Sequence, residues 1–176
     1  MSDERLGDPE RSGRALAAGR TILVLRRIVP VLVASLLLSA PVVTATLVGD
    51  LTGDAARHLA AEGEPLDYAV EPVSLGVTGD RLVAVLAGVL VIASLVLLVR
   101  ATATRTLDPR WWTVLVPLVL GGVLIGLSWR IVTAGVIGAN IGAGLVVLAG
   151  GPVLLVLLVA AMAQAFRVRR RQRMMG

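Results

Sequence analysis

Four long apolar runs constrain this chain more than any other feature: Ile28–Val48, Leu82–Val99, Trp112–Ala134 and Ala143–Phe166. A helix needs about 20 such residues to cross the hydrocarbon core of a bilayer. Each run meets that length, so the chain is predicted to be an all-α, polytopic membrane protein with four transmembrane helices. The apolar fraction of 56% and the mean hydropathy of +0.86 come from these runs. What remains between them is too small and too polar to build a soluble core.

The segments between the runs differ in charge. The tail of residues 1–27 carries Arg5, Arg11, Arg14, Arg20, Arg26 and Arg27, and the connector after the second run carries Arg100, Arg105 and Arg110. The tail of residues 167–176 carries Arg167, Arg169, Arg170, Arg171 and Arg173. Residues 49–80 instead hold Asp50, Asp54, Glu62, Glu64, Asp67, Glu71 and Asp80 against Arg57. Basic segments stay on the cytoplasmic side of a membrane. Both termini are therefore expected in the cytoplasm of a cell (inner) membrane, with residues 49–80 outside. A cleaved leader fits poorly, because the first run exceeds the apolar stretch of a signal peptide.

All 17 basic residues are Arg, and there is no Cys. The missing thiols remove disulfides, thiolate metal sites and a cysteine nucleophile. The net charge of +5 does not point to nucleic acid. Its arginines flank membrane spans, where they set topology and meet anionic headgroups, and no aromatics interleave with them to stack bases.

Local signals add detail. Residues 1–13 read as disordered, and Arg14–Arg27 as a short interfacial helix. Pro41 is expected to kink the first span or end its regular part, and Pro152 to break or kink the middle of the fourth. Asp54 reads as the N-cap of a short helix. Leu66–Glu71 and Val73–Thr78 alternate apolar and polar residues, which predicts a β-ribbon in the outer loop. Asp108 and Pro109 fit the start of the third helix. Trp111 and Trp112 are expected at the inner interface and Trp129 at the outer one. Arg130 would snorkel to the headgroups.

Two small-xxx-small pairs, Gly122/Gly126 and Gly138/Gly142, let helix backbones approach closely. They predict either packing within the four-helix unit or a homo-oligomer face. Arg167, Arg169, Arg170, Arg171 and Arg173 are candidates for contact with anionic lipid or a cytoplasmic protein partner. Charged residues are missing from the interiors of the spans, apart from Arg130 near one end. The lone histidine, His58, lies in the outer loop. No catalytic residue, metal site or cofactor follows from this pattern, and no glycine-rich phosphate loop is present.

The order of parts resembles an uncharacterised family of small four-span bacterial membrane proteins, often encoded beside a compact helix-turn-helix regulator. The likeness covers roughly residues 28–171. It rests on Gly76-Val-Thr-Gly-Asp-Arg-Leu before the second span, the connector Arg105-Thr-Leu-Asp-Pro-Arg110, and Ala160-Ala-Met-Ala-Gln-Ala-Phe-Arg167 at the close of the fourth. The connector lacks the Phe and Asn that such members often carry. The resemblance implies a four-span fold and brings no activity with it. An accessory or regulatory role is the leading expectation, a small oligomeric channel or exporter the alternative, and a membrane enzyme the last.

Overall fold

The computed structural model describes the backbone of residues 9–63, 69–71, 75–135 and 139–174. Side chains are described from residue 28 onward, except at 139, 140, 172 and 173. Among the described residues the fold is all-helical, 86% helix. Its elements are α1 (Pro9–Val48), α2 (Asp54–Ala61), α3 (Gly76–Ala103), a 3-10 turn (Pro109–Trp111), α4 (Trp112–Val132), α5 (Ala139–Leu145), a π-helical segment (Val146–Gly150) and α6 (Gly151–Met174).

Four helices are long and apolar enough to cross a membrane: Ile28–Val48, Gly76–Ala103, Pro109–Val132 and Ile141–Arg171. The chain is a multi-pass membrane protein. The second span starts at Gly76, six residues before the apolar run, because polar Thr78, Asp80 and Arg81 continue the helix beyond the hydrocarbon. At about 1.5 Å per residue it is about 42 Å long, against a core of about 30 Å. The third span stops at Val132, so Thr133 and Ala134 lie past its end.

Several local expectations are corrected. No strand occurs among the described residues, and Gly76–Thr78 are helical; residues 64–68 and 72–74 lie outside the described residues. Residues 9–13 belong to α1, which runs without interruption into the first span. Asp54 sits in the first turn of α2, where its charge meets the positive end of the helix dipole. The N-cap is Gly53, in extended backbone. Pro41 does not end α1. Pro152 follows the π segment at the start of α6. Widening that turn accommodates a residue with no N–H and a ring aimed at the preceding carbonyls.

The helices form an open row in the order α3, α1, α4, α6. At the end that carries the termini, Leu32 and Leu36 of α1 meet Leu98 and Ala101 of α3, Leu115 of α4 and Leu107 of the connector. The α3–α4 connection is tied down locally. The Ala101 carbonyl accepts from the amides of Thr106 and Leu107 at 2.9 and 3.0 Å. Trp112 Nε1 donates to Thr102 Oγ1 at 3.0 Å. Asp108 caps the 3-10 turn by accepting from the Arg110 amide at 2.9 Å, as its position before Pro109 predicts.

At the opposite end, α1 and α4 touch backbone to backbone. A Cβ on Gly126 would lie 2.3 Å from the Pro41 carbonyl oxygen and 2.8 Å from Thr44 Cβ. On Gly122 it would meet Ala40 Cβ at 3.3 Å. Only glycine admits the first approach. Gly126→Ala is expected to lower stability by about 1–3 kcal/mol through overpacking. Gly144, whose Cβ would meet open space, supplies the control. Thermal unfolding in detergent should show a clear loss for Gly126→Ala and none for Gly144→Ala.

Candidate functional site

The candidate site lies where α3 and α4 diverge over α1, at the end that carries the 49–75 connection. A cavity of about 480 Å³ opens there. Its floor is Pro41, Val42, Ala45 and Thr46 of α1. One wall is Asp80 and Val83 of α3, with Leu75 before them; the other is Ile125, Gly126, Trp129 and Arg130 of α4. The walls are largely apolar, with one carboxylate and one guanidinium among them. Ile125 and Trp129 are 48% and 46% exposed, so the cavity is open sideways rather than sealed.

Arg130 does not snorkel away from the protein. Its Nε donates to the Ala45 carbonyl oxygen of α1. Ala45 belongs to the last turn of α1, whose carbonyls have no partner further along the helix. The guanidinium therefore caps the negative end of the α1 dipole. Geometry favours this over snorkelling, since the Gly126 contact one turn earlier brings α4 against α1.

A polar clasp adjoins the cleft. Gly49 turns the chain out of α1 with φ +73°, a backbone suited to glycine. Asp50 then accepts from the Thr52 hydroxyl at 2.6 Å and the Thr52 amide at 2.9 Å. The same hydroxyl oxygen accepts from the Gly135 amide at 3.2 Å, tying the segment after α4 to the segment after α1. The Thr52 hydroxyl bond, above all, holds the Asp50 carboxyl below its ordinary value of 3.8. The Thr52 amide, Arg57 and Arg130 act the same way, and burial opposes them. On the other side, Asp80 Oδ1 accepts from the Leu75 amide at 3.0 Å, fixing the entry to α3.

The residues singled out in the sequence are dispersed. Gly122 and Gly126 are buried against α1 of the same chain. A Cβ on Gly142 would meet Ile131 of α4 at 3.5 Å. Gly138 lies outside the described residues. Arg167, Arg169, Arg170 and Arg171 are exposed on α6 at the opposite end of the molecule. Arg173 continues that helix, and its side chain lies outside the described residues. His58 is exposed, with Nδ1 at 3.3 Å from Glu62 Oε1. Among the described residues, no group of three His, Cys, Asp or Glu gathers to hold a metal. Sequence reading missed that Asp80 and Arg130, 50 positions apart, line one cavity. The available signal was an arginine inside an apolar run, level with the free carbonyls of the first span.

No protein-family model matches the chain, and no curated protein or solved structure does so either.

Two outcomes follow from this geometry. Arg130→Ala should lower thermal stability in detergent by about 1.5–3 kcal/mol, the usual value of a hydrogen bond from a charged group. Asp50 gives a pH signature. A carboxyl depressed in the folded state adds stability that is fully present above the unfolded value of 3.8. That stability is lost as the pH falls through the folded value. The acid side of the stability profile should therefore be shallower in Asp50→Asn than in the native chain below pH 4, as read by thermal unfolding across the series.

Proposed function

We propose that this is an accessory or regulatory protein of the cell membrane, with both termini cytoplasmic, which docks an acidic cytoplasmic protein on its C-terminal arginine helix. One observation carries the reading. The fourth span does not end with its apolar residues: α6 runs from Gly151 to Met174 as one helix. Val168, two turns after Ala161 on the same face, is buried as Ala161 is, and α6 lies beside the Pro109–Trp111 turn. Packing thus holds Arg167, Arg169, Arg170 and Arg171 on a fixed helical surface. A tail that served topology alone would not need that order. Arg105 and Arg110 of the connector belong to the same end and add to its positive field.

The arginine distribution supports the orientation, since the basic segments share one end and the acidic loop takes the other. The order of parts along residues 28–171 is also why we place the chain beside the uncharacterised four-span bacterial family, from which no activity follows. A pore built by several copies through Gly122 and Gly126 has less support, because Pro41 and Thr44 of the same chain already cover that face.

The test is replacement of Arg169, Arg170 and Arg171 together by Gln, leaving Arg167 and Arg173 to hold topology. Three exposed pairs at about 0.5 kcal/mol each amount to roughly tenfold in affinity. Recovery of a stoichiometric partner from crosslinked membranes should fall by about that factor, while a C-terminal reporter stays cytoplasmic. Unchanged recovery would remove the docking role from this helix.

A further inference from the structure

The geometry points to a bound phospholipid in the cleft between α1, α3 and α4, with one acyl chain against Pro41, Val83 and Ile125 and its phosphate on Arg130. This site is at the opposite end from the arginine helix and does not depend on the docking role proposed for it. The cavity of about 480 Å³ falls inside the range of small-ligand sites, about 300–1,000 Å³. It is open sideways, and α3 and α4 are clasped at the other end, by the Trp112–Thr102 bond and the Leu107 contacts. Dispersion contacts are forfeited wherever such a space stays empty. The nearest material able to fill an apolar, sideways-open slot is a lipid chain.

The polar groups select the head. Arg130 commits Nε to the Ala45 carbonyl, which fixes the guanidinium at the mouth of the cleft. Its charge also acts on the Asp50 carboxyl, whose pKa it helps to lower. A guanidinium fork matches a phosphate with two parallel N–H bonds. Trp129 lies beside it, at the depth where tryptophan rings meet headgroups. Asp80, on the facing wall, brings a negative charge to the same cleft. That charge disfavours a second anionic group and favours an ammonium beside the phosphate. The expected ligand is an ethanolamine phospholipid of the leaflet that meets the 49–80 loop, in preference to a phosphatidylglycerol.

The full chain, delipidated in detergent, would be mixed in turn with phosphatidylethanolamine, phosphatidylglycerol and diacylglycerol of matched chains. Native mass spectrometry reads the lipids retained, and thermal unfolding reads the stabilisation. One phosphatidylethanolamine per chain is expected, held about tenfold more tightly than phosphatidylglycerol, with no retention of diacylglycerol. Arg130→Gln should abolish retention. Because that change also uncaps α1, Val83→Phe is paired with it: it fills the slot and leaves Arg130 in place. It should lose the lipid with its melting temperature in lipid-free detergent unchanged. Val153→Phe, on the exposed face of α6, should keep the lipid. Retention of diacylglycerol equal to that of phosphatidylethanolamine would overturn the phosphate assignment. Retention by Val83→Phe equal to that of the native chain would overturn the cleft itself, and phosphatidylglycerol bound as tightly as phosphatidylethanolamine would overturn the headgroup choice.

Discussion

The close approach of α1 and α4 at Pro41 and Gly126 is the contact from which the rest of the arrangement follows. Inside a bilayer there is no hydrophobic gain in bringing two apolar helices together, since lipid tails are as apolar as leucine. Association has to come from fitted surfaces and polar bonds between helices. Gly122 and Gly126 supply the fit, and Arg130, one turn beyond Gly126, supplies the bond to Ala45. These residues lie on one face of α4, so a single register serves both. The arginine that would be costly in the membrane is placed where the first span needs a cation.

An open row of helices is the consequence. Because α1 takes α3 on one side and α4 on the other, and α4 takes α6, the outer helices keep most of their surface for lipid. Only 6% of the apolar window of the fourth span is buried, against 28% for the third. The row has two ends with opposite character. One end carries the leucine core, the Asp108 cap and a helix of arginines. The other carries an acidic loop, the Asp50–Thr52–Gly135 clasp and the cleft between α1, α3 and α4.

Much of this was legible in the residues, and the failures have physical reasons. The spans were readable because hydropathy acts on every residue of a run, and Asp108-Pro109 was readable because capping is local chemistry. The first span, expected at Ile28–Val48, lies within α1, which ends at Val48 as expected. The start of α3 at Gly76 was not readable, because helix and hydrocarbon are separate conditions and only the second shows in apolar content. Pro152 was read as a kink, and the chain relieves it with a π segment just before, a choice set by the packing of that turn beside α4. Arg130 was read as a side chain seeking water, since a sequence does not display the free carbonyls of another helix. Gly122 and Gly126 left two readings open, and in this chain they lie against Ala40, Pro41 and Thr44 of α1.

The absence of cysteine makes a direct measurement available. Ala40→Cys and Gly122→Cys would be introduced together, with a protease site inserted after Gly63, and oxidised in native membranes. The ideal Cβ of residue 122 lies 3.3 Å from Ala40 Cβ, close to the separation of about 3.5–4.5 Å that a disulfide spans. If α1 and α4 meet within one chain, the two proteolytic fragments stay linked until a reductant is added, and Gly122→Cys alone gives no covalent dimer. If Gly122→Cys alone forms dimers while the double variant falls apart on cleavage, the glycine face belongs between chains. The arrangement built on it would then be wrong.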